Sequence, residues 1–269
     1  MFLSLHCRPK KKLYKSPPGY DFSKMMETTK LDMKLKEISG LAWDPTLNQF
    51  LAIHDERGDL FILDKETKAI RQAFDFGEKK DFEDVAVVNS VPYVLVSDGT
   101  IIKINIDSSG SVSTTELGTI PIQGARDFES LFYDPFRKAL IMLCKNCDVD
   151  NKKKVSAFAF YIDSVGFDTK PVFQIDVETA DSLSPENKSR IEPSGAAIHP
   201  IQRKLYVLSS ASNQLLVTDL DGKVEQVFIL IKGVFKQPEG ICIKQNGDLY
   251  ISNEGVTGKA TLIKCTYRR

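Results

Sequence analysis

Long apolar runs are missing from this chain. No stretch of about 18 consecutive apolar residues occurs, so nothing in it reads as a membrane-spanning helix. Net charge is missing as well. The 36 Lys+Arg balance 36 Asp+Glu, which leaves no global basic field to recruit nucleic acid or an anionic membrane. The five cysteines (Cys7, Cys144, Cys147, Cys242 and Cys265) are too few for a disulfide scaffold in 269 residues. Cys144 and Cys147 form a lone C-x-x-C, open to a labile disulfide or to half of a zinc site. No second pair or nearby histidine completes a metal site, so two small residues without special chemistry are favoured. No Ser-His-Asp arrangement, phosphate loop or dinucleotide fingerprint appears, which argues against nucleotide or serine-nucleophile chemistry.

What the chain does have is one short phrase repeated five times. It reads Glu37-Ile-Ser39-Gly40, Asp81-Phe-Glu83-Asp84, Asp127-Phe-Glu129-Ser130, Glu192-Pro-Ser194-Gly195 and Gln237-Pro-Glu239-Gly240. Its third position falls at 39, 83, 129, 194 and 239, so the spacings are 44, 46, 65 and 45. A period near 45 residues, with each unit built of short strands, is the signature of a β-propeller. The expected fold is all-β, with five four-stranded blades in a single domain over residues 18–269. Six blades is the alternative, but a sixth would need about 40 residues that the chain does not supply. Blade five runs out of chain after three strands. Since an open blade leaves an unpaired edge, the segment Tyr20 to Asp32, which belongs to no repeat, is expected to supply the missing strand. Blade three is the long one. Its extra residues fall in polar loops at Lys145 to Lys154 and Val177 to Ile191, with one helical turn expected at Ser184-Pro-Glu.

The first 17 residues read differently. An apolar stub, Met1 to Leu5, leads through His6 to Cys7 and then to Arg8 and Lys10 to Lys12. As written it is too short for a secretory signal. It is similar to the remnant of a bacterial lipoprotein signal, which would make Cys7 a lipid-anchor site, although His6 stands where a small residue is expected. A basic leader is the alternative.

Consecutive strands of a blade are antiparallel, so the entry to strand one lies beside the exit of strand two. The phrase therefore brings Glu37, Asp81, Glu83, Asp127, Glu129, Glu192 and Glu239 to one channel mouth, and the strand-two ends add Asp55, Glu56, Asp98 and Glu254. Against these eleven carboxylates stand Arg57, Arg126 and Lys145. Crowded carboxylates raise one another's pKa unless a cation sits among them. An oxygen-only donor set, to which Asn253 belongs, favours Ca²⁺, with Mg²⁺ the alternative, over zinc. The competing explanation for each carboxylate is architectural: an acid before strand one can cap backbone N–H groups of a neighbouring blade. His54 stands on this rim, where pairing with Asp55 is the simpler role than that of a base. His199 occupies the turn position that holds Asp44 in blade one and Asp134 in blade three, on the opposite face.

The phrases Glu37-Ile-Ser-Gly-Leu-Ala, His54-Asp-Glu-Arg-Gly, Asp81-Phe-Glu, Pro193-Ser-Gly and Gln237-Pro-Glu-Gly-Ile, followed by Asn246-Gly-Asp-Leu-Tyr-Ile-Ser-Asn-Glu254, resemble the SdiA-regulated family of bacterial propellers. The resemblance runs from about residue 30 to the C-terminus. It implies a protein of the bacterial cell envelope, periplasmic or lipid-anchored, and carries no activity with it. Lys145 departs from the acidic pattern and could replace or repel a cation. The leading expectation is a monomeric, non-catalytic propeller that binds a divalent cation and a small-molecule or protein ligand across the acidic mouth. One alternative is a metal-dependent lactonase or esterase in which Glu37, Glu192 and Asn253 cradle the metal and Glu83 is the base. The other is a protein-interaction scaffold.

Overall fold

The computed structural model describes residues 15–24, 26–77, 79–186 and 190–269. Most of the leader, with Cys7, lies outside them. Strand β1 (Met26–Lys30) comes first. Blade one is β2 (Ile38–Asp44), β3 (Gln49–His54), β4 (Gly58–Leu63) and β5 (Ile70–Gly77). Blade two is β6 (Phe82–Val88), β7 (Val91–Val96), β8 (Thr100–Ile106) and β9 (Val112–Thr119). Blade three has β10 (Phe128–Asp134), β11 (Ala139–Cys144) and β12 (Lys154–Tyr161), and its outer strand is broken into β13 (Gly166–Phe167) and β14 (Phe173–Asp176). Helix α1 (Val177–Leu183) follows, then blade four: β15 (Pro193–His199), β16 (Lys204–Ser209), β17 (Gln214–Thr218) and β18 (Val224–Ile229). Blade five is β19 (Pro238–Ile243), β20 (Leu249–Asn253) and β21 (Thr261–Cys265).

The ring closes as the edge argument requires. β1 lies antiparallel to β21, Met26 facing Cys265 and Lys30 facing Thr261, and becomes the fourth strand of blade five. Innermost strands β2, β6, β10, β15 and β19 neighbour one another around the ring, and β19 returns to β2.

Side-chain alternation along each strand sends successive residues to opposite faces, and each pair of facing blades shares one apolar cluster. Ala42, Ile53 and Leu60 of blade one meet Val85 and Val94 of blade two; Leu41 and Phe50, from the other face of blade one, meet Cys242 and Tyr250 of blade five. The whole ring contains five such clusters among the described residues.

Two local expectations need correction. The helix in the long insert precedes Ser184 instead of starting there, because Asp176 caps it: its carboxylate accepts from Thr179 N–H at 2.7 Å, and Ser184 is the C-cap. Cys144 and Cys147 form a disulfide, their Cα atoms 6.0 Å apart, whereas two unlinked small residues were favoured. The tight turn after β11 brings them together, with the N–H groups of both Lys145 and Asn146 donating to Asp127 C=O at 2.8 and 3.1 Å.

Candidate functional site at the acidic mouth

The repeated phrase marks a repeated β-bulge. In β6, Phe82 faces Val96 and Asp84 faces Leu95, so Glu83 is an extra residue with no partner across the pair. Glu129 and Ser194 are extra in the same way. In β2 and β19 two residues, Ser39-Gly40 and Glu239-Gly240, stand against one. A bulge re-aims the side chain it carries, and here it sends the third phrase position into the channel. Ser39, Glu83, Glu129, Ser194 and Glu239 all line one cavity of about 210 Å³.

Around them stand Glu37, Asp81 and Gln237 from the first phrase position, and Asp55 and Glu254 from the ends of the second strands. The backbone pins this upper ring: the C=O groups of Glu37, Asp81, Asp127 and Gln237 accept from Asp55, Ser97, Lys145 and Glu254 N–H at 2.8–3.2 Å. Neighbouring blades are tied here too, since Phe82 and Phe128 N–H donate to Asp55 and Ser97 C=O at 2.7 and 2.9 Å.

Seven carboxylates therefore line the cavity. Lys145 enters the cluster from the disulfide turn, hydrogen-bonded to Glu129 and 3.9 Å from Asp127. Burial, reinforced by the charges of Glu129, Asp81 and Asp127, pushes Glu83 up to about 9. Burial with Glu129 and Glu254 pushes Glu239 up to about 8. Asp55, Asp127, Glu129 and Glu254 are raised as well, burial being the largest cause each time. Burial alone would lower Lys145, but its bond to Glu129 and the charges of Glu129 and Asp127 raise it. One oxygen from each of Glu83, Asp127 and Glu129 lies within 4.8 Å of the others, as do ligand atoms of Glu37, His54 and Asp55. Ser39 adds a buried hydroxyl with no hydrogen-bond partner. His54 is paired, its Nε2 3.3 Å from Glu37 and its Nδ1 2.9 Å from Asp55.

Not every residue expected at the mouth reaches it. Glu56 is exposed, and among the described residues only its N–H is engaged, with Asp55 and His54. Asp98 turns back to accept from Thr100 N–H at 2.9 Å. Asp127 and Glu192 are not among the lining residues, although Asp127 stays clustered with Glu83 and Glu129; Glu192 is bonded to Arg190, and its charge helps raise Asp127 and Glu129. Asn253 is buried inside blade five, where Nδ2 donates to Val234 C=O at 3.0 Å and Thr261 Oγ1 at 2.9 Å. A cradle of Glu37, Glu192 and Asn253 is thus not assembled. Three polar wall residues were missed: Ser39, Ser194 and Gln237. Each stands at a phrase position where other copies hold an acid, and that equivalence was the available signal.

The architectural role expected of some acids belongs to a residue outside the expected set. Asp84, 4% exposed, accepts from Val85 N–H at 2.7 Å and from Leu131 N–H of blade three at 2.8 Å, and also from Leu41 N–H of blade one. Burial raises its pKa well above the usual carboxylate range. One carboxyl group thereby joins three blades beneath the acidic mouth.

A five-bladed ring with an acidic, bulge-built mouth defines the class. The chain belongs to the SdiA-regulated family, whose model matches residues 18–256. A comparison with curated proteins gives no match. Among solved structures it is similar to glutaminyl cyclase of Myxococcus xanthus, with a TM-score of 0.61 and 13% identity over 91% of this chain and 97% of that one. It is also similar to a luciferin-regenerating enzyme, with a TM-score of 0.54 and 10% identity over 90% and 95% of the two chains. For a PQQ-bound aldose sugar dehydrogenase of Streptomyces coelicolor the TM-score is 0.53, with 12% identity over 93% and 100%. At these identities the likeness is one of fold. No helix among the described residues is long and apolar enough to cross a membrane.

Proposed function

We propose that the acidic mouth binds a divalent cation, Ca²⁺ before Mg²⁺, and through it a small-molecule or protein ligand, without catalysis. The observation that carries this is the ring of seven carboxylates around about 210 Å³, in which Glu83 and Glu239 are driven to about 9 and 8 when no cation is among them. Glu83 and Glu239 would hold the ion, with Asp81 and the orphan hydroxyl of Ser39 within the same wall. Carboxylate and hydroxyl oxygens at mixed heights suit the flexible, oxygen-rich coordination of Ca²⁺ better than the strict octahedron of Mg²⁺. Lys145 neutralises the Asp127–Glu129 side, which leaves the blade five–one–two side for the ion. A location in the cell envelope is part of the proposal. It is supported by the family and by the Cys144–Cys147 disulfide, a bond that persists in oxidising compartments.

Thermal melts in EDTA, then with Ca²⁺, Mg²⁺ or Mn²⁺, test the cation site. An ion that binds only the native state adds RT ln(1 + [L]/Kd), about 2.7 kcal/mol at a hundredfold excess over Kd. Melting temperatures that ignore all three ions would rule the site out. A reporter active only after export, fused to the full chain, tests the location.

A further inference from the structure

Next to the acidic mouth lies a cleft of about 450 Å³ with the reverse chemistry, bounded by β1, the end of β20 and the loop 255–259. Lys30, Lys236 and Lys259 line it, all exposed, and none has an ion pair or hydrogen bond among the described residues. The N–H groups of Val256, Thr257, Gly258 and Lys259 are four consecutive donors, likewise without a partner among the described residues. Unpaired backbone N–H groups are hydrogen-bond donors open to an anionic ligand. Glu254 is the one carboxylate in the lining, and it already accepts from the Gln237 amide. Asn253, 2% exposed, closes the inner side of the cleft. Its Nδ2 is committed, while its Oδ1 has no partner.

This inventory is lopsided in a way that selects a ligand. Three ammonium groups and four N–H groups offer donors, the hydroxyls of Thr28 and Thr257 can take either role, and one orphan amide oxygen offers only an acceptor. A compact, many-acceptor anion matches the donors. A hydroxyl on the same molecule matches the amide oxygen, because a buried carbonyl left without a donor costs about 1–3 kcal/mol. We propose that this cleft is an oxyanion site, taking the phosphate or carboxylate of a small hydroxylated ligand. Glu254 lines both the cleft and the mouth, so a molecule anchored here would extend toward the carboxylate ring. The site stands independently of any cation in the mouth.

The test is a titration of the ¹⁵N-labelled full chain with inorganic phosphate, and separately with acetate, in EDTA with chloride holding ionic strength constant. Saturable shifts of the Val256 to Lys259 amides with either anion are expected, and the tighter anion identifies the class. The combined variant Lys30→Gln, Lys236→Gln, Lys259→Gln should keep the wild-type spectrum elsewhere and weaken binding at least tenfold. Lys103→Gln, in blade two, should bind as wild type. Shifts that never saturate or that lie outside this loop, or a triple variant that binds as tightly as wild type, would overturn the assignment.

Discussion

Glu83 and Asp84 are neighbours in sequence and opposites in use. The bulge turns Glu83 into the cavity, whereas Asp84 points the other way and takes three backbone N–H groups from three blades. A buried N–H stripped of its acceptor costs about 1–3 kcal/mol. Asp84→Ala strips three at once and leaves a void where the inner strands meet. Its urea midpoint should fall by an amount equivalent to about 3 kcal/mol or more, with the metal response of the mouth tested separately at Glu83. An Asp84→Ala protein as stable as wild type would show that water replaces the carboxylate, and that the three-blade junction carries no stability.

At the scale of the strand, the phrase works through spacing between neighbours. Gly195 and Gly240 end their copies because a side chain there would collide with the next blade: a Cβ on Gly195 would lie 2.4 Å from Glu239 C=O, and one on Gly240 2.8 Å from Leu41 N. Neither glycine has a positive φ, so the constraint is packing against backbone. Gly195→Ala and Gly240→Ala should each cost about 1–3 kcal/mol in chemical denaturation, as overpacked sites do. Gly233→Ala, which meets nothing within 4 Å, is the matched control and should be near neutral.

Much at this scale was legible beforehand. The period and the strand runs announced five blades, and the unpaired edge of blade five called for a strand from Tyr20 to Asp32. The bulge was not legible, because an extra residue exists only relative to a partner strand. Alternation along a regular strand would by itself aim positions one and three to the same side. Asp84 was passed over because three of the five copies carry glycine at its position, so the phrase shows no acidic pattern there. Asn253 and Glu56 were credited to the mouth by their place at strand ends. Blade five's interior claimed the first and solvent the second.

For the molecule as a whole, the mouth should write itself into the pH dependence of stability. In an unfolded chain Glu83 and Glu239 titrate near 4.5, but in the folded ring near 9 and 8. Between those values the native state holds more protons than the unfolded one, so stability falls as pH rises through the folded pKa values. The raised Asp55, Asp127, Glu129 and Glu254 act in the same direction. His199 acts oppositely: burial lowers it to about 4 from 6.5, so its effect ends near pH 6.5 and a scan from pH 7 to 9 avoids it. Over that scan in EDTA the loss from these two groups should be about 4 kcal/mol, taking about 1.4 kcal/mol per pKa unit, or roughly 8–16 °C in Tm. Saturating Ca²⁺ should flatten the profile, because the ion favours the ionised carboxylates that protonation otherwise removes. Glu83→Gln with Glu239→Gln should flatten it in EDTA and abolish the Ca²⁺ response together. If calcium shifts the whole profile upward without changing its slope, the ion binds elsewhere on the molecule. If the double variant keeps the wild-type slope, the carboxylates in the bulges are not the groups that set it.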